Sequence, residues 1–356
     1  MHYTHERNFG CRIRECVYQG LRTLTLENEL IRVTILADKG TDILEFLHKP
    51  TDTDFMWRSP QGVRNPALFV PTSASPRGAF LDYYEGGWQE ILPAGGDPCV
   101  YKGINFGVHG EISLIPWQYA IEEDRPERVA IKFWVRTYRT PFYVEKRVSL
   151  QSGVAVLTMT EKVVNEGNEE VDLMWGHHPA LGAPFLDKSC VIDLPPAKLL
   201  TRKLDATSRT VNADGFSWPR VKGRDNQWFD LSKVPPAETA NHDWACLYEL
   251  NGGWYAITNQ EKRVGFGLIW PKEVFPYIWY WQCTGGGLGA PFFGRAYTMA
   301  LEPWTTYPDN LTQAAEQGTT VKMAGGGTLE AEIRAVAYSG VERVSALSSD
   351  GQVTAG

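Results

Sequence analysis

Hydrophobic positions in this chain recur in short runs that alternate with polar positions and end at turn residues. The run from Ala130 to Arg136 shows the alternation expected of a strand with one solvent-exposed face. Only residues 311–317 are predicted to be helical, over one or two turns. The short hydrophobic runs closed by turn residues predict strands at residues 21–26, 30–36, 129–138, 143–150, 154–164, 171–175, 244–250, 254–258, 264–270, 277–283, 297–301 and 328–338.

The chain shows neither a strand–helix–strand rhythm nor an internal repeat, and its 34 Gly, 22 Pro and 12% aromatic residues favour strands and turns. We therefore predict an all-β fold, a single large antiparallel β-sandwich spanning residues 1–340. Residues 341–356 are predicted to be a polar, frayed C-terminal tail. Residues 187–236, the least regular stretch, are predicted to be a long insertion over the sheets, and residues 251–253 a hairpin turn.

Composition narrows the class of protein. Hydrophobic residues make up 43% of the 356 and charged residues 22%, which excludes a disordered or fibrous chain. A net charge of −7 argues against a nucleic-acid partner. Apolar runs are too short to span a membrane and no signal-peptide pattern occurs, so we expect a cytoplasmic protein. The six cysteines form no C-x-x-C pair and are expected to be free thiols.

The glycine-rich stretch at residues 285–290 formally matches a dinucleotide-binding fingerprint. That fingerprint needs a helix N-terminus directly afterwards to hold the pyrophosphate, whereas Pro291 and aromatic residues follow here. We therefore predict a loop at a sheet edge rather than a nucleotide site.

Four other segments, residues 84–93, 105–111, 175–182 and 300–309, place titratable side chains among glycines and aromatics. Such side chains on loops suit a sugar-binding pocket. A single histidine or glutamate of this kind is more often structural, so the ordered set carries the argument.

Together these segments resemble the aldose 1-epimerase (galactose mutarotase-like) superfamily. The matching elements appear in the family's order as His109-Gly110, His178 followed by Leu181-Gly182, and Leu301-Glu302 with Pro308-Asp309. The resemblance covers most of the chain, from residue 21 to about residue 338. It implies a β-supersandwich that binds a monosaccharide substrate and needs neither a metal nor an organic cofactor.

The resemblance also implies roles for three residues: Glu302 as the base, His178 as the acid and His109 as support for charge near the ring oxygen. The chemistry independently requires an acid and a base, because mutarotation removes the anomeric hydroxyl proton while it protonates the ring oxygen. The pair His177-His178 departs from the family pattern, which has Asn before the histidine, so either could be the acid. The offset to Leu181 favours His178. His177 is predicted to point to the opposite face of its strand, which also disfavours a metal site built from both.

Four residues are expected to bind substrate. Arg77 and Asp243 resemble sugar-binding residues of the family, and Trp88 is the expected stacking platform. Glu111, where the family more often has an aromatic residue, is expected to contact a hydroxyl or to orient His109. An anionic sugar would need a basic residue at the pocket, for which Arg77, Lys102 and Arg295 are the candidates.

Two other functions remain open from the residues alone. The first is a carbohydrate-binding protein without catalysis. The second is a lyase or isomerase on a related β-sandwich, in which the same residues would abstract a carbon-bound proton. Fold likeness does not decide among them.

Overall fold

The computed structural model describes residues 7–68, 77–308 and 310–356. Within these residues the structure is nearly all β, with strands numbered in chain order, and two antiparallel sheets dominate it. The predicted all-β sandwich is confirmed. Each predicted strand overlaps an observed one, because alternating apolar positions give every strand one face to bury.

The larger sheet has 14 strands and carries the site described below. From one edge to the other its strands are β1 (Arg12–Tyr18), β2 (Leu21–Glu27), β3 (Ile31–Leu36), β4 (Asp42–His48), β6 (Trp88–Ile91), β14 (Gly176–Leu181), β24 (Tyr297–Trp304), β23 (Tyr277–Thr284), β20 (Asn241–Tyr248), β16 (Lys198–Lys203), β17 (Ala213–Ser217), β18 (Arg220–Lys222) and β19 (Trp228–Asp230), with β5 (Thr53–Asp54) paired to β4.

The second sheet has 8 strands and covers one face of the first. Its order is β15 (Cys190–Asp193), β21 (Trp254–Asn259), β22 (Val264–Ile269), β26 (Thr328–Ser339), β12 (Val156–Asn165), β11 (Phe142–Gln151), β10 (Arg128–Arg136) and β9 (Gln118–Asp124).

The remaining elements are short. Three two-stranded sheets pair β7 (Cys99–Tyr101) with β8 (Ile104–Phe106), β13 (Val171–Leu173) with β25 (Val321–Met323), and β27 (Val344–Leu347) with β28 (Val353–Ala355). The helices are α1 (Gly78–Leu81) and α2 (Leu311–Gln317), with single 3₁₀ turns at Lys49–Thr51, Pro66–Leu68 and Ala237–Thr239.

Helix α2 has the bounds that the sequence predicts. Asn310 caps its start, since the side-chain oxygen accepts a hydrogen bond from the Gln313 backbone N–H at 2.9 Å. Gly318, with φ of 69°, ends it in the left-handed conformation that glycine adopts without strain.

The core lies between the two sheets. Phe46 of β4 packs edge-on against Phe266 of β22, with ring centroids 5.6 Å apart, and Phe55 joins both. All three rings are fully buried. Burial of such side chains contributes about 1.5–3 kcal/mol each. The opposite face of the large sheet carries the cavity described below.

Three sequence-based expectations are wrong. Residues 187–236 are not an insertion over the sheets, because they supply β15 to the smaller sheet and β16 to β19 to an edge of the larger one. Residues 251–253 do not close a hairpin, since β20 and β21 belong to different sheets. Residues 341–356 are not frayed: β27 and β28 form a hairpin whose Val344 and Leu347 are buried. In each case long-range pairing overrides local polarity.

Among the described residues, no helix is long and apolar enough to cross a membrane. The six cysteines are free thiols, as predicted.

Candidate active site

A cavity of about 340 Å³ lies over strands β14, β24, β23 and β20 of the larger sheet. Alternation along these strands decides which side chains enter it. Its aromatic lining consists of Phe80, Tyr84, Trp244, Trp279, Trp281 and Phe292, and its titratable lining consists of Arg77, Asp97, His109, His178, Asp205, His242 and Glu302.

His178 and Glu302 face each other across β14 and β24. Gly176 pairs with Trp304 and Ala180 pairs with Ala300, so the intervening register sets His178 opposite Glu302. His178 Nε2 lies 3.4 Å from Glu302 Oε1. Both residues are buried: His178 is 5% exposed and Glu302 is 3% exposed. The pair is therefore shielded from bulk water, although both side chains line the cavity.

Burial keeps the Glu302 carboxyl neutral at physiological pH. Removal from water raises the pKa of Glu302 to about 8, although a hydrogen bond from Trp304 acts in the opposite direction. Trp304 Nε1 donates to Glu302 Oε2 at 3.0 Å, which leaves Oε1 towards His178. Burial therefore favours the neutral carboxylic acid form of Glu302.

The same burial keeps His178 unprotonated. It lowers the pKa of His178 to about 4, because burial penalises the charged imidazolium. The hydroxyl of Tyr84 lies 3.4 Å from Nδ1 of His178 and holds the ring in orientation. Burial therefore favours the neutral form of both side chains, with the proton of the pair on Glu302.

His109 is placed by a backbone conformation that the following glycine makes possible. His109 and Gly110 have φ values of 59° and 60°, and a Cβ on Gly110 would lie only 2.7 Å from the Leu92 carbonyl oxygen. The Gly96 backbone N–H donates to His109 Nδ1 at 3.2 Å. Burial and the neighbouring His178 hold the pKa of His109 well below its usual range. The neutral ring therefore carries its proton on Nε2, as a donor beside the cavity.

His177 points to the opposite face of β14, as alternation predicts. Its Nε2 lies 3.0 Å from Glu161 Oε2 on β12, and its Nδ1 accepts a hydrogen bond from Trp88 Nε1 at 3.2 Å. Glu90 and Glu161 lie near enough to His177 to form a three-ligand metal site. However, the Lys146 ammonium, 2.8 Å from Glu90, already supplies the positive charge. His177 thus belongs to a buried ionic cluster that joins the two sheets.

Arg77, expected to bind substrate, lies on the cavity wall. Its guanidinium forms an ion pair with Asp97 at 2.6 Å, and both side chains are about half exposed. Of the other predicted basic candidates, Lys102 pairs with Glu169 on the surface and Arg295 donates to the Phe292 carbonyl. Neither lines the cavity.

Three residues expected to bind substrate do not line the cavity. Trp88 is 2% exposed and lies in the core against His177 and Phe266, so it is not the stacking platform. Its position in β6 places it on the inner face of the sheet, because its register partner is Pro179 rather than His178.

The carboxylates of Glu111 and Asp243 have protein partners instead. Glu111 accepts hydrogen bonds from the Arg139 backbone N–H at 3.3 Å and from Thr140 Oγ1 at 3.2 Å, and so fixes a loop. Asp243 is fully buried and accepts from Arg209 Nε at 2.6 Å. It precedes Trp244 and follows His242, which both face the cavity.

Sequence reasoning overlooked several cavity residues. Tyr84 lies inside a segment that the sequence singles out, but its contact with His178 depends on the pairing of β6 with β14. His242 could have been found by taking the opposite strand face from Asp243. The aromatic residues Trp281 and Phe292 carry no local signal that separates them from core aromatics.

The glycine-rich loop is a wall of the cavity. Gly287, Leu288 and Ala290 line it, and the chain continues in turns up to β24 without a helix. The helix N-terminus that the nucleotide fingerprint requires does not follow this loop, as the sequence predicts. Asp309, part of the motif on which the resemblance depends, lies outside the described residues.

Sequence comparison assigns the chain to a family. The family described as "Domain of unknown function (DUF4432)" matches residues 18–335. The chain belongs to the DUF4432 family. No curated protein matches the sequence of this DUF4432 protein.

Solved structures show which fold the DUF4432 protein has. A proposed aldose 1-epimerase from Klebsiella pneumoniae superposes with a TM-score of 0.73 at 15% identity, covering 91% of this chain and 83% of that one. A galactose mutarotase-like protein from Clostridium acetobutylicum gives a TM-score of 0.62 at 13% identity, covering 93% and 99%. A galactose mutarotase-like protein from Lactobacillus casei gives 0.57 at 14%, covering 89% and 100%. The predicted resemblance to the galactose mutarotase-like superfamily is confirmed at the level of the fold.

Proposed function

We propose that this DUF4432 protein is a mutarotase, an isomerase that interconverts the anomers of an aldose by acid–base catalysed ring opening. The observation that carries the proposal is the buried pair of His178 Nε2 and Glu302 Oε1, 3.4 Å apart on the cavity floor. The anomeric hydroxyl and the ring oxygen of an aldose are bonded to the same carbon. A base and an acid that serve both must therefore be close neighbours, as these two are.

The pair starts with the one proton that mutarotation needs. Burial favours the neutral forms, so Glu302 carries the proton and His178 has a free lone pair. In the proposed cycle, His178 takes the proton of the anomeric hydroxyl while Glu302 protonates the ring oxygen. This reverses the roles that the family resemblance implies. Ring closure on the other face returns both protons, so no net proton is consumed.

His109 supports the developing charge. Its Nε2–H, fixed by the Gly96 hydrogen bond at Nδ1, provides a neutral donor beside His178, with the two ring centroids 5.6 Å apart. A donor held in place before the reaction stabilises an oxygen as negative charge develops on it. Arg77, on the rim beside Asp97, is proposed to hold a more distant hydroxyl.

The substrate is proposed to be an uncharged aldose. Arg77 is the one lysine or arginine among the described lining residues, and Asp97 pairs with it. Residues 69–76, which precede Arg77, contain no lysine or arginine in the sequence. Asp97, Asp205 and Glu302 line the same cavity, so a phosphate or sulfonate would meet carboxyl groups there.

The experiment is anomeric exchange measured by NMR on a panel of D-glucose, D-galactose, D-xylose and L-arabinose, with glucose 6-phosphate as the anionic control. We expect exchange of at least one neutral aldose to rise in proportion to protein concentration, and none for the phosphate. Binding without exchange would identify a carbohydrate-binding protein. An unsaturated product, read by ultraviolet absorbance, would identify a lyase.

A further inference from the structure

A second carboxylate–imidazole pair lies on the cavity wall, away from His178 and Glu302. His242 Nδ1 is 2.6 Å from Asp205 Oδ2, and His242 Nε2 is 2.9 Å from Trp281 Nε1. All three residues line the cavity. None of the three has a role in the proposed proton transfer.

The hydrogen bonds fix the tautomer of His242. An indole N–H can only donate, so Nε2 of His242 must accept from Trp281 and the ring proton must be on Nδ1, facing Asp205. Asp205 is itself held by the backbone N–H and the hydroxyl of Thr207, both at 2.7 Å. Burial would raise the pKa of Asp205, but the hydrogen bonds from Thr207 and His242 keep it below its usual value. The Asp205 carboxylate therefore fixes His242, which in turn accepts the hydrogen bond from Trp281.

The hydrogen bonds end at the indole ring of Trp281, which lines the cavity. Trp281 is only partly buried, and its ring centroid lies 5.6 Å from that of His178 and 5.8 Å from that of Phe292. Rotation of the ring would break its hydrogen bond to His242. Because β23 and β20 pair with Cys283 opposite His242, the two side chains meet diagonally on the cavity face.

We propose that Asp205 and His242 are positioning residues that lock Trp281 as the platform on which the sugar ring stacks beside His178. This inference rests on the proposed function and replaces Trp88 as the platform. His242 does not transfer a proton in it, since both of its ring nitrogens are engaged. A fixed aromatic face lowers the entropy lost when the sugar binds, so its loss should appear in KM.

A double-mutant cycle tests the inference. His242→Phe keeps a ring but removes the acceptor of the Trp281 indole, and we expect KM for the fastest-exchanging aldose of the panel to rise about tenfold with kcat changed less than about threefold. Trp281→Phe should raise KM at least as much. In the double variant the two effects should not multiply, because His242 acts only through Trp281.

Phe80→Leu is the matched control. Phe80 lines the cavity against His109, with ring centroids 4.7 Å apart. Phe80 lies on the His109 side of the cavity. Any increase in KM caused by Phe80→Leu should therefore multiply with the increase caused by His242→Phe. The positioning role is wrong if the increases in KM caused by His242→Phe and Trp281→Phe multiply in the double variant as they do with Phe80→Leu. It is also wrong if His242→Phe lowers kcat while KM stays constant.

A spectroscopic readout separates this inference from the proposed function. The Trp281 indole N–H resonance, identified by its loss in Trp281→Phe, should move upfield in both His242→Phe and Asp205→Ala and should shift on titration with the panel sugars. Should the wild type bind these sugars without exchanging anomers, the proposed function fails while the shifts still test the platform. An indole resonance unmoved by His242→Phe, in a protein that exchanges anomers, would refute the platform alone.

Discussion

Nε2 of His178 and Oε1 of Glu302 lie 3.4 Å apart in a buried position that disfavours charge on either side chain. An exposed pair of this kind would be an ordinary ion pair, with the proton on the imidazole. Burial reverses this distribution, because it raises the pKa of Glu302 to about 8 and lowers the pKa of His178 to about 4. Pairs of groups whose pKa values are pushed apart in this way are typical of acid–base sites.

The first prediction concerns the pH dependence of the rate. The active form holds one proton on the pair, so kcat/KM should form a broad plateau between about pH 4 and about pH 8. Below this range His178 gains a proton and can no longer accept one, and above it Glu302 loses the proton that it donates. The measurement is the rate of anomeric exchange from pH 3.5 to 9.5, corrected for the uncatalysed reaction. A narrow optimum, with limbs at the ordinary pKa values of about 4.5 for a glutamate and about 6.5 for a histidine, would contradict the neutral pair.

The second prediction concerns stability. The pKa of Glu302 in the folded protein lies above its ordinary value of 4.5, so its contribution to stability is complete below about pH 4.5 and is lost as pH rises towards 8. Glu302→Gln removes this loss while keeping an oxygen that can accept the Trp304 hydrogen bond. The variant should gain stability over the wild type on the order of 1 kcal/mol per pH unit across this window.

Urea unfolding at pH 4.5, 6 and 7.5 measures this gain. Glu261→Gln, at an exposed carboxylate, is the matched control and should show no pH-dependent gain. Parallel stability curves for Glu302→Gln and the wild type would mean that Glu302 ionises in the folded protein as it does in the unfolded chain.

The third prediction separates two adjacent histidines. His178→Asn should lower anomeric exchange by about 10²–10⁴-fold, because the acceptor of the anomeric proton is lost. His177→Asn should instead lower stability by about 1–3 kcal/mol, since it leaves Glu161 and the Trp88 indole without a partner in the core. Exchange per folded molecule should hardly change in that variant. The opposite pattern, with exchange lost in His177→Asn and kept in His178→Asn, would move the acid–base role to His177.

The fourth prediction concerns Lys146, which lies between the sheets. It is the counter-ion of Glu90, with the two side chains 2.8 Å apart and almost fully buried. Lys146→Met should destabilise the protein by about 3–5 kcal/mol, because it leaves a buried carboxylate without its partner. Thermal unfolding of Lys146→Met beside Lys322→Met, at an exposed lysine, checks it. Equal midpoints for the two variants would show that the buried cluster is neutral without Lys146.

Much of the fold follows from local pattern. Alternation predicts strands because each of them needs only one buried face, and α2 is predicted by its own residues and capped by Asn310. The edge strands β16 to β19 were not predictable in this way. Their polar residues are typical of a loop. They join the sheet because β16 pairs with β20 and each of the others pairs with the strand before it.

The site was less predictable than the fold, and Trp88 and Asp243 show why. A shift of one residue in strand register moves a side chain from the cavity to the core. Trp88 lies in β6 and Asp243 in β20. The face of the sheet that each side chain occupies depends on the pairing of these strands with β14 and β23. His109, His178 and Glu302 were singled out by motif order, and the structure brings all three to one cavity.

In the proposed mechanism, the proton shared by Glu302 and His178 drives ring opening. The most direct test is exchange NMR of the α and β anomers of the fastest panel aldose, with wild type and Glu302→Gln compared at equal sugar occupancy. Glutamine keeps the shape but cannot donate the proton, so we predict that binding survives while exchange falls by about 10²–10⁴-fold. If Glu302→Gln binds the sugar and exchanges its anomers at the wild-type rate, Glu302 takes no part in proton transfer and the proposed mechanism is wrong.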